Sequence, residues 1–172
     1  MSLMYARHGV LGLISLATVS LDQASKAHIM QTMRLHESIS VIPSFFSLTY
    51  IRNPGAAFGF LASSSTDFRL LFFAVASLVA AVVLGTIFWR LPQNDWLGQI
   101  SIAGILGGAI GNLLDRLRLG EVVDFLDFYV NGYHWPAFNV ADAAITVGVF
   151  VLALRLVMEK KHGEQVLQQD GS

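Results

Sequence analysis

Two aspartates carry the chemistry that can be read from this chain. Asp124 sits in a short apolar stretch, Val122-Val123-Asp124-Phe125, and Asp142 lies in the first turn of an apolar segment that opens Asn139-Val140-Ala141-Asp142. A carboxylate in lipid costs about 2.5–3.5 kcal/mol at a helix centre on insertion scales, so two in apolar surroundings suggest chemistry before structure. Two aspartates held close cannot both ionise, and the pair then offers an acid and a base at once. Such a pair can activate water with one oxygen and protonate an amide with the other. The same carboxylates could instead hold Mg²⁺ or Ca²⁺, or relay protons in a transporter. Spacing alone leaves these readings open.

The neighbouring polar residues have structural readings of their own. Asn139 followed three residues later by an acid is a helix-start signature, and Asp142 suits a helix N-terminus. That positive helix end favours charge on Asp142, whereas Asp124, between Val123 and Phe125, is expected to keep the shared proton. Asn53, in Arg52-Asn53-Pro54-Gly55, is a turn former. Asp22 and Lys26 are spaced i,i+4 and read as an ion pair that stabilises a helix end. Asn112, Asp115 and Arg116 share one face at the end of another helix, where Arg116 is expected to offset the charge of Asp115.

Composition narrows the alternatives. Charged residues make up 13% and apolar ones 54%, against about 25% charged in soluble domains, so a membrane is the expected solvent. A net charge of −1 leaves no nucleic-acid footprint. The absence of cysteine removes disulfides, thiol catalysis and cysteine metal sites together. There is no H-E-x-x-H and no G-x-S-x-G. His8, His28, His36, His134 and His162 are scattered, and His134 reads as an interfacial residue rather than a ligand.

The elements that must position the aspartates form an all-α membrane protein with four spans in one domain, 1–172. The apolar run after Arg7 resembles a signal-peptide core, yet its helical pattern continues through Lys26 without a cleavage site. It reads as an uncleaved first span, roughly 8–27. The segment 31–68 is too polar to cross. Within it Ser38–Ile42 and Phe45–Ile51 read as a small β-structure on the membrane surface. Further spans come at 70–89, 96–114 and 140–157, each near the ~20 residues that cross a bilayer. The third span carries Gly104-x-x-x-Gly108 and Gly107-x-x-x-Gly111, the spacing of closely approaching membrane helices. Gly120 is the expected C-terminal cap of that helix. The segment 120–139 reads as a catalytic loop and 160–172 as a disordered polar tail. Four spans put both termini on one side and nearly every polar group at membrane depth on the other. Cations divide almost evenly between the two faces, so the Lys160-Lys161 end places the termini in the cytoplasm.

The set D-Q-A-S-K, N-P-G-A-A-F-G, G-N-L-L-D-R, V-V-D-F and F-N-V-A-D-A-A-I-T, in this order around the spans, resembles the bacterial lipoprotein signal peptidases (signal peptidase II). The likeness runs from about Leu21 to Gly148. It implies an aspartic endopeptidase of the bacterial cytoplasmic membrane that cuts prolipoproteins before a diacylglyceryl-modified cysteine. It implies Asp124 and Asp142 as the catalytic pair, supported by Asp22, Lys26, Asn53, Asn112, Asp115, Arg116 and Asn139. The family's small extracytoplasmic β-structure fits 38–51, and its site faces the periplasm. No cofactor or metal is expected. The expected partners are the lipid-bearing substrate and membrane lipid around a monomer, and Phe58, Phe60 and Phe138 are expected to cover the substrate.

Overall fold

The computed structural model describes the backbone of residues 2–55, 61 and 63–170, and the side chains of these from residue 7 to residue 158. The described residues form four helices and four strands, in the order α1 Ser2–Thr32, β1 Ser38–Ile42, β2 Phe46–Asn53, α2 Thr66–Arg90, α3 Trp96–Leu119, β3 Val122–Val130, β4 Tyr133–His134 and α4 Val140–Asp170. Among the described residues, three helical stretches are long and apolar enough to cross a membrane: Thr66–Arg90, Trp96–Leu119 and Val140–Met158. The expected spans 70–89, 96–114 and 140–157 fall inside them. α1 contains the expected 8–27, but its polar residues keep it short of the same apolar character.

α3 is the helix to which α1, α2 and α4 all attach. In lipid there is no hydrophobic drive between helices, so close backbone approach must supply the contact. A Cβ added at Gly107 would lie 2.7 Å from Thr18 Cβ, and one at Gly111 would lie 2.5 Å from Asp22 Oδ2, both on α1. At Gly108 it would lie 2.5 Å from the Ala141 carbonyl oxygen of α4. The two small-residue repeats therefore serve different neighbours. Gly104 is the loose member, meeting only the Ala144 oxygen at 3.8 Å.

Helix ends reflect local chemistry. Ser65 caps α2, accepting from Phe68 N, and Leu91 before Pro92 is extended, which stops that helix. Asp95 caps α3 through Gly98 N, and Gly120 closes it in the left-handed region at φ 75°. Asp95 also pairs with Arg155 at 2.9 Å, tying the start of α3 to α4.

β1, β2, β3 and β4 form one antiparallel sheet in that order. Ile29 and Met33 at the end of α1 pack with Tyr50, Val123 and Phe125, which fixes the sheet against the bundle. Two expectations are corrected by the fold. The segment 120–139 is not a loop: Val122–Val130 is a strand paired along β2. Its first residues are buried on both faces, which hides the apolar–polar alternation by which a strand is recognised. Nor is the tail irregular, because α4 continues to Asp170. Its Glu, Lys and Gln are strong helix formers, so polarity there did not mean disorder.

Candidate active site

Register places the first aspartate. β2 and β3 pair with Asn53 opposite Val122 and Ile51 opposite Asp124. Residues two apart along a strand share a face, so Asn53 and Asp124 are diagonal neighbours on the same side of the sheet. The register shifts between Leu48 and Ile51, and a bulge of this kind re-aims side chains next to a site. Asn53 Nδ2 donates to Asp124 Oδ2 at 3.0 Å, while Asn53 Oδ1 accepts from Gly55 N at 3.0 Å. One side chain thus makes both the turn contact and a hydrogen bond to the Asp124 carboxyl.

A capping box places the second aspartate. Asn139 Oδ1 accepts from Asp142 N at 2.9 Å, and Asp142 Oδ2 accepts from Asn139 N at 3.2 Å. Asn139 also reaches out of the cap: its Nδ2 lies 2.8 Å from Asp124 Oδ1, 3.2 Å from Asn112 Oδ1 and 3.2 Å from the Val123 oxygen. Asn112 Nδ2 donates to Asp142 Oδ1 at 2.7 Å. Each of the four carboxylate oxygens thus accepts one hydrogen bond from an amide, three from side chains and one from the backbone.

Behind this layer stands a buried charged one. Lys26 Nζ contacts Asp22 Oδ2 at 2.8 Å, Asp115 Oδ2 at 2.9 Å and Asn112 Oδ1 at 2.9 Å, with Lys26 and Asp22 fully buried. The local i,i+4 pair is therefore the centre of a cross-helix hub. Asp22 Oδ1 accepts from Ala141 N at 2.9 Å, and Asp115 Oδ2 accepts from Val123 N at 3.1 Å. The hub so holds the start of α4 beside Asp142 and the start of β3 beside Asp124. The expected pairing of Asp115 with Arg116 is corrected: Asp115 takes Lys26, because the two side chains point to different neighbours of α3. Arg116 donates to the Gly55 oxygen at 3.0 Å and the Asn112 oxygen at 3.2 Å, with its guanidinium 3.8 Å over the Phe73 ring.

Asn53, Asn112, Arg116, Asp124 and Asp142 all border one cavity of about 650 Å³. Trp135 to Phe138 form one wall, and Ala143, Ile145, Thr146 and Val147 of α4 continue it along the bundle. Asn139, Asp115, Asp22 and Lys26 support it from behind. Phe138 borders the cavity, while Phe58 and Phe60 lie outside the described residues. Burial, then the nearby Asp142 charge, pushes the Asp124 carboxyl up to about 7, against the pull of hydrogen bonds from Asn53 and Asn139. A carboxyl that keeps its proton near neutrality, facing a second one, can serve as acid and base on a water between them.

Sequence reasoning missed Gln23 and the Trp135-Pro136-Ala137 wall. Gln23 Nε2 donates to Asp115 Oδ1 at 2.9 Å and to the Gly111 oxygen at 3.2 Å, which adds a further tie between α1 and α3. Its position inside D-Q-A-S-K was the available signal, since it adjoins Asp22 on the same helix. The wall carries no ionisable group and so no chemical signal.

Among the described residues, three apolar helices and a cavity bordered by two amide-held carboxylates fit a membrane-embedded hydrolase. Residues 14–158 match the family described as signal peptidase (SPase) II. The lipoprotein signal peptidase of Geobacter sulfurreducens is 51% identical over 86% of this chain and 91% of its own length. That of Pseudomonas fluorescens is 46% identical over 94% and 96%. A solved bacterial membrane enzyme superposes with a TM-score of 0.80 at 35% identity, covering 90% of this chain and 91% of the other. The chain belongs to the signal peptidase II family, and it is a protease.

Proposed function

We infer that the chain removes signal peptides from prolipoproteins by cutting before a diacylglyceryl-modified cysteine, with Asp124 and Asp142 as the catalytic pair. One observation carries this: two carboxylates, each oxygen held by an amide, border a cavity that runs along an apolar helix. In the proposed step Asp142 takes a proton from water as the oxygen attacks the scissile carbonyl. Asp124 donates its proton toward the peptide, and collapse of the tetrahedral adduct breaks the C–N bond and releases the new amine. A lipid-bearing substrate reaches this cavity by lateral diffusion in the bilayer.

α1 is the proposed fourth span. Its Leu13, Leu16 and Leu21 point outward, while Asp22 and Lys26 are fully buried. Apolar side chains outside and charges inside suit lipid as the surroundings. At ~1.5 Å per residue the helix is long enough to cross ~30 Å of hydrocarbon. Four spans would put both termini on one side, and the Lys160-Lys161 end argues for the cytoplasm; the proposed cavity then opens near the periplasmic face of the inner membrane, in a monomeric enzyme.

The deciding experiment offers purified protein a diacylglyceryl-modified peptide and follows cleavage by mass. Cleavage one bond before the modified cysteine, undiminished by EDTA, is expected. Loss on chelation with recovery on Mg²⁺ or Zn²⁺ would replace the aspartate pair with a carboxylate-bound metal.

Asn53 separates turn from chemistry. Asn53→Asp keeps an acceptor for Gly55 N but puts a third carboxylate beside Asp124, and Asn53→Ala removes both bonds. Each is expected to lower kcat/KM by about 10–100-fold, the scale of one hydrogen bond to a charged group. Wild-type cleavage by Asn53→Asp would reduce Asn53 to a turn residue.

A further inference from the structure

We propose that Asp127 and His134 form a clasp that fixes the substrate-facing wall of the cavity, a positioning element separate from the aspartate pair; the proposal rests on the peptidase reading above. His134 Nδ1 lies 2.8 Å from Asp127 Oδ1 and 3.1 Å from Oδ2. A carboxylate only accepts, so Nδ1 carries a hydrogen and the orientation of the ring is set. The imidazole stacks on Tyr129 with centroids 4.7 Å apart and planes 15° from parallel.

Asp127 is buried, and its other side-chain partner is Thr49 Oγ1 at 3.3 Å. Without His134 the carboxylate keeps, among the described residues, that long hydroxyl contact, and a buried acceptor left short of partners is costly. The two residues also sit where the fold needs help. β3 turns at Asn131-Gly132, with φ 51° and 79°, the signature of a two-residue hairpin. The returning strand β4 is only Tyr133–His134. A hairpin arm of two residues is too short to be stable on its own backbone bonds.

That short arm leads straight into the wall, Trp135-Pro136-Ala137-Phe138. The wall is tied to β3 at its two ends, by Trp135 N to the Phe128 oxygen at 2.8 Å and Phe138 N to the Leu126 oxygen at 3.1 Å. Pro136 has no N–H to add a bond between them. Asp127–His134 is the side-chain tie at the Trp135 end, and Asn139, bonded to Asp124, secures the Phe138 end. Losing the clasp would free the wall where substrate docks, while Asp124 and Asp142 stay held by Asn53, Asn112 and Asn139. The effect therefore belongs in substrate binding rather than in the bond-breaking step.

The experiment compares wild type, His134→Ala and His134→Asn as full-length protein in detergent, with cleavage kinetics on a diacylglyceryl-modified peptide and amide exchange across 133–138. His134→Ala is expected to raise KM by roughly tenfold, the scale of one lost hydrogen bond to a charged group, with kcat within about twofold. The Trp135 amide exchanges faster in that variant. Asn presents an N–H where the imidazole Nδ1–H stood, so His134→Asn restores both KM and protection. An unchanged KM in His134→Ala, a fall in kcat instead, or an Asn variant as impaired as the Ala one would each overturn the clasp. A wild type that leaves the peptide intact would sink the peptidase reading alone, and Trp135 exchange would still report on the clasp.

Discussion

Asp124→Asn and Asp142→Asn are each expected to remove essentially all cleavage, a loss beyond the ~10²–10⁴-fold of a single general acid–base step. Asparagine keeps the shape but can neither take a proton from water nor give one to the leaving amine. The fold survives both changes. Each aspartate oxygen has a partner that donates, so an amide in its place loses one accepted bond, about 0.5–1.5 kcal/mol net. For Asp124 the change even helps at high pH. Its folded pKa, about 7, stands above the unfolded value, so the folded chain holds the proton more tightly. Stability contributed there is full below ~4 and is lost as pH rises through about 7. Asp124→Asn abolishes that loss, so its Tm at pH 8 equals or exceeds that of wild type. The pair titrates as a unit, and wild-type cleavage falls both above about 7, where the shared proton leaves, and in acid, where both groups hold one. Substantial turnover by either Asn variant, correctly inserted, would remove the assignment of these aspartates.

The parts of this site that the sequence made legible are those with ionisable or amide side chains in apolar surroundings. Asp124, Asp142, Asn112 and Asn139 stand out in the chain because lipid makes every such group expensive, and they do converge. The capping box at Asn139 was legible too, since its spacing is local. Three things were not. β3 reads as a connection because burial on both faces erases the alternation of a strand, so its pairing with β2 could not be foreseen. Lys26 looked local, as Asp22 lies one turn away on the same helix. That it also reaches Asp115 and Asn112 depends on α1 and α3 running side by side, and only the glycines at 107 and 111 hinted at that closeness. The Trp135–Phe138 wall lacks ionisable groups to flag it, and its place beside the cavity depends on a hairpin whose return arm is two residues long.

Lys26→Met is expected to be the most damaging substitution outside the aspartate pair. It removes the cation that, among the described residues, lies within bonding distance of both Asp22 and Asp115, which are 0% and 3% exposed. Breaking a buried ion pair from one side costs about 3–5 kcal/mol, because a charge is left without compensation. Here two charges are left, on the helices α1 and α3 that Lys26 joins. The damage also reaches the site. Asn112 Oδ1 loses its Lys26 donor and keeps the longer contact from Asn139, so the amide that donates to Asp142 is held less firmly. Cleavage should therefore fall further than the folded fraction does, measured well below the Tm. A neutral set separates the two effects: Lys26→Met combined with Asp22→Asn and Asp115→Asn leaves the hub without charge. Replacing a whole buried ionic group is far better tolerated than breaking it, so the triple variant should recover much of the lost Tm. Cleavage should remain low, since Asn112 still lacks its Lys26 anchor and Val123 N has lost its carboxylate acceptor. If the triple variant is as unstable as Lys26→Met alone, the lost stability comes from packing of the lysine stem rather than from uncompensated charge. If it cleaves like wild type, the hub holds the helices together without positioning Asn112.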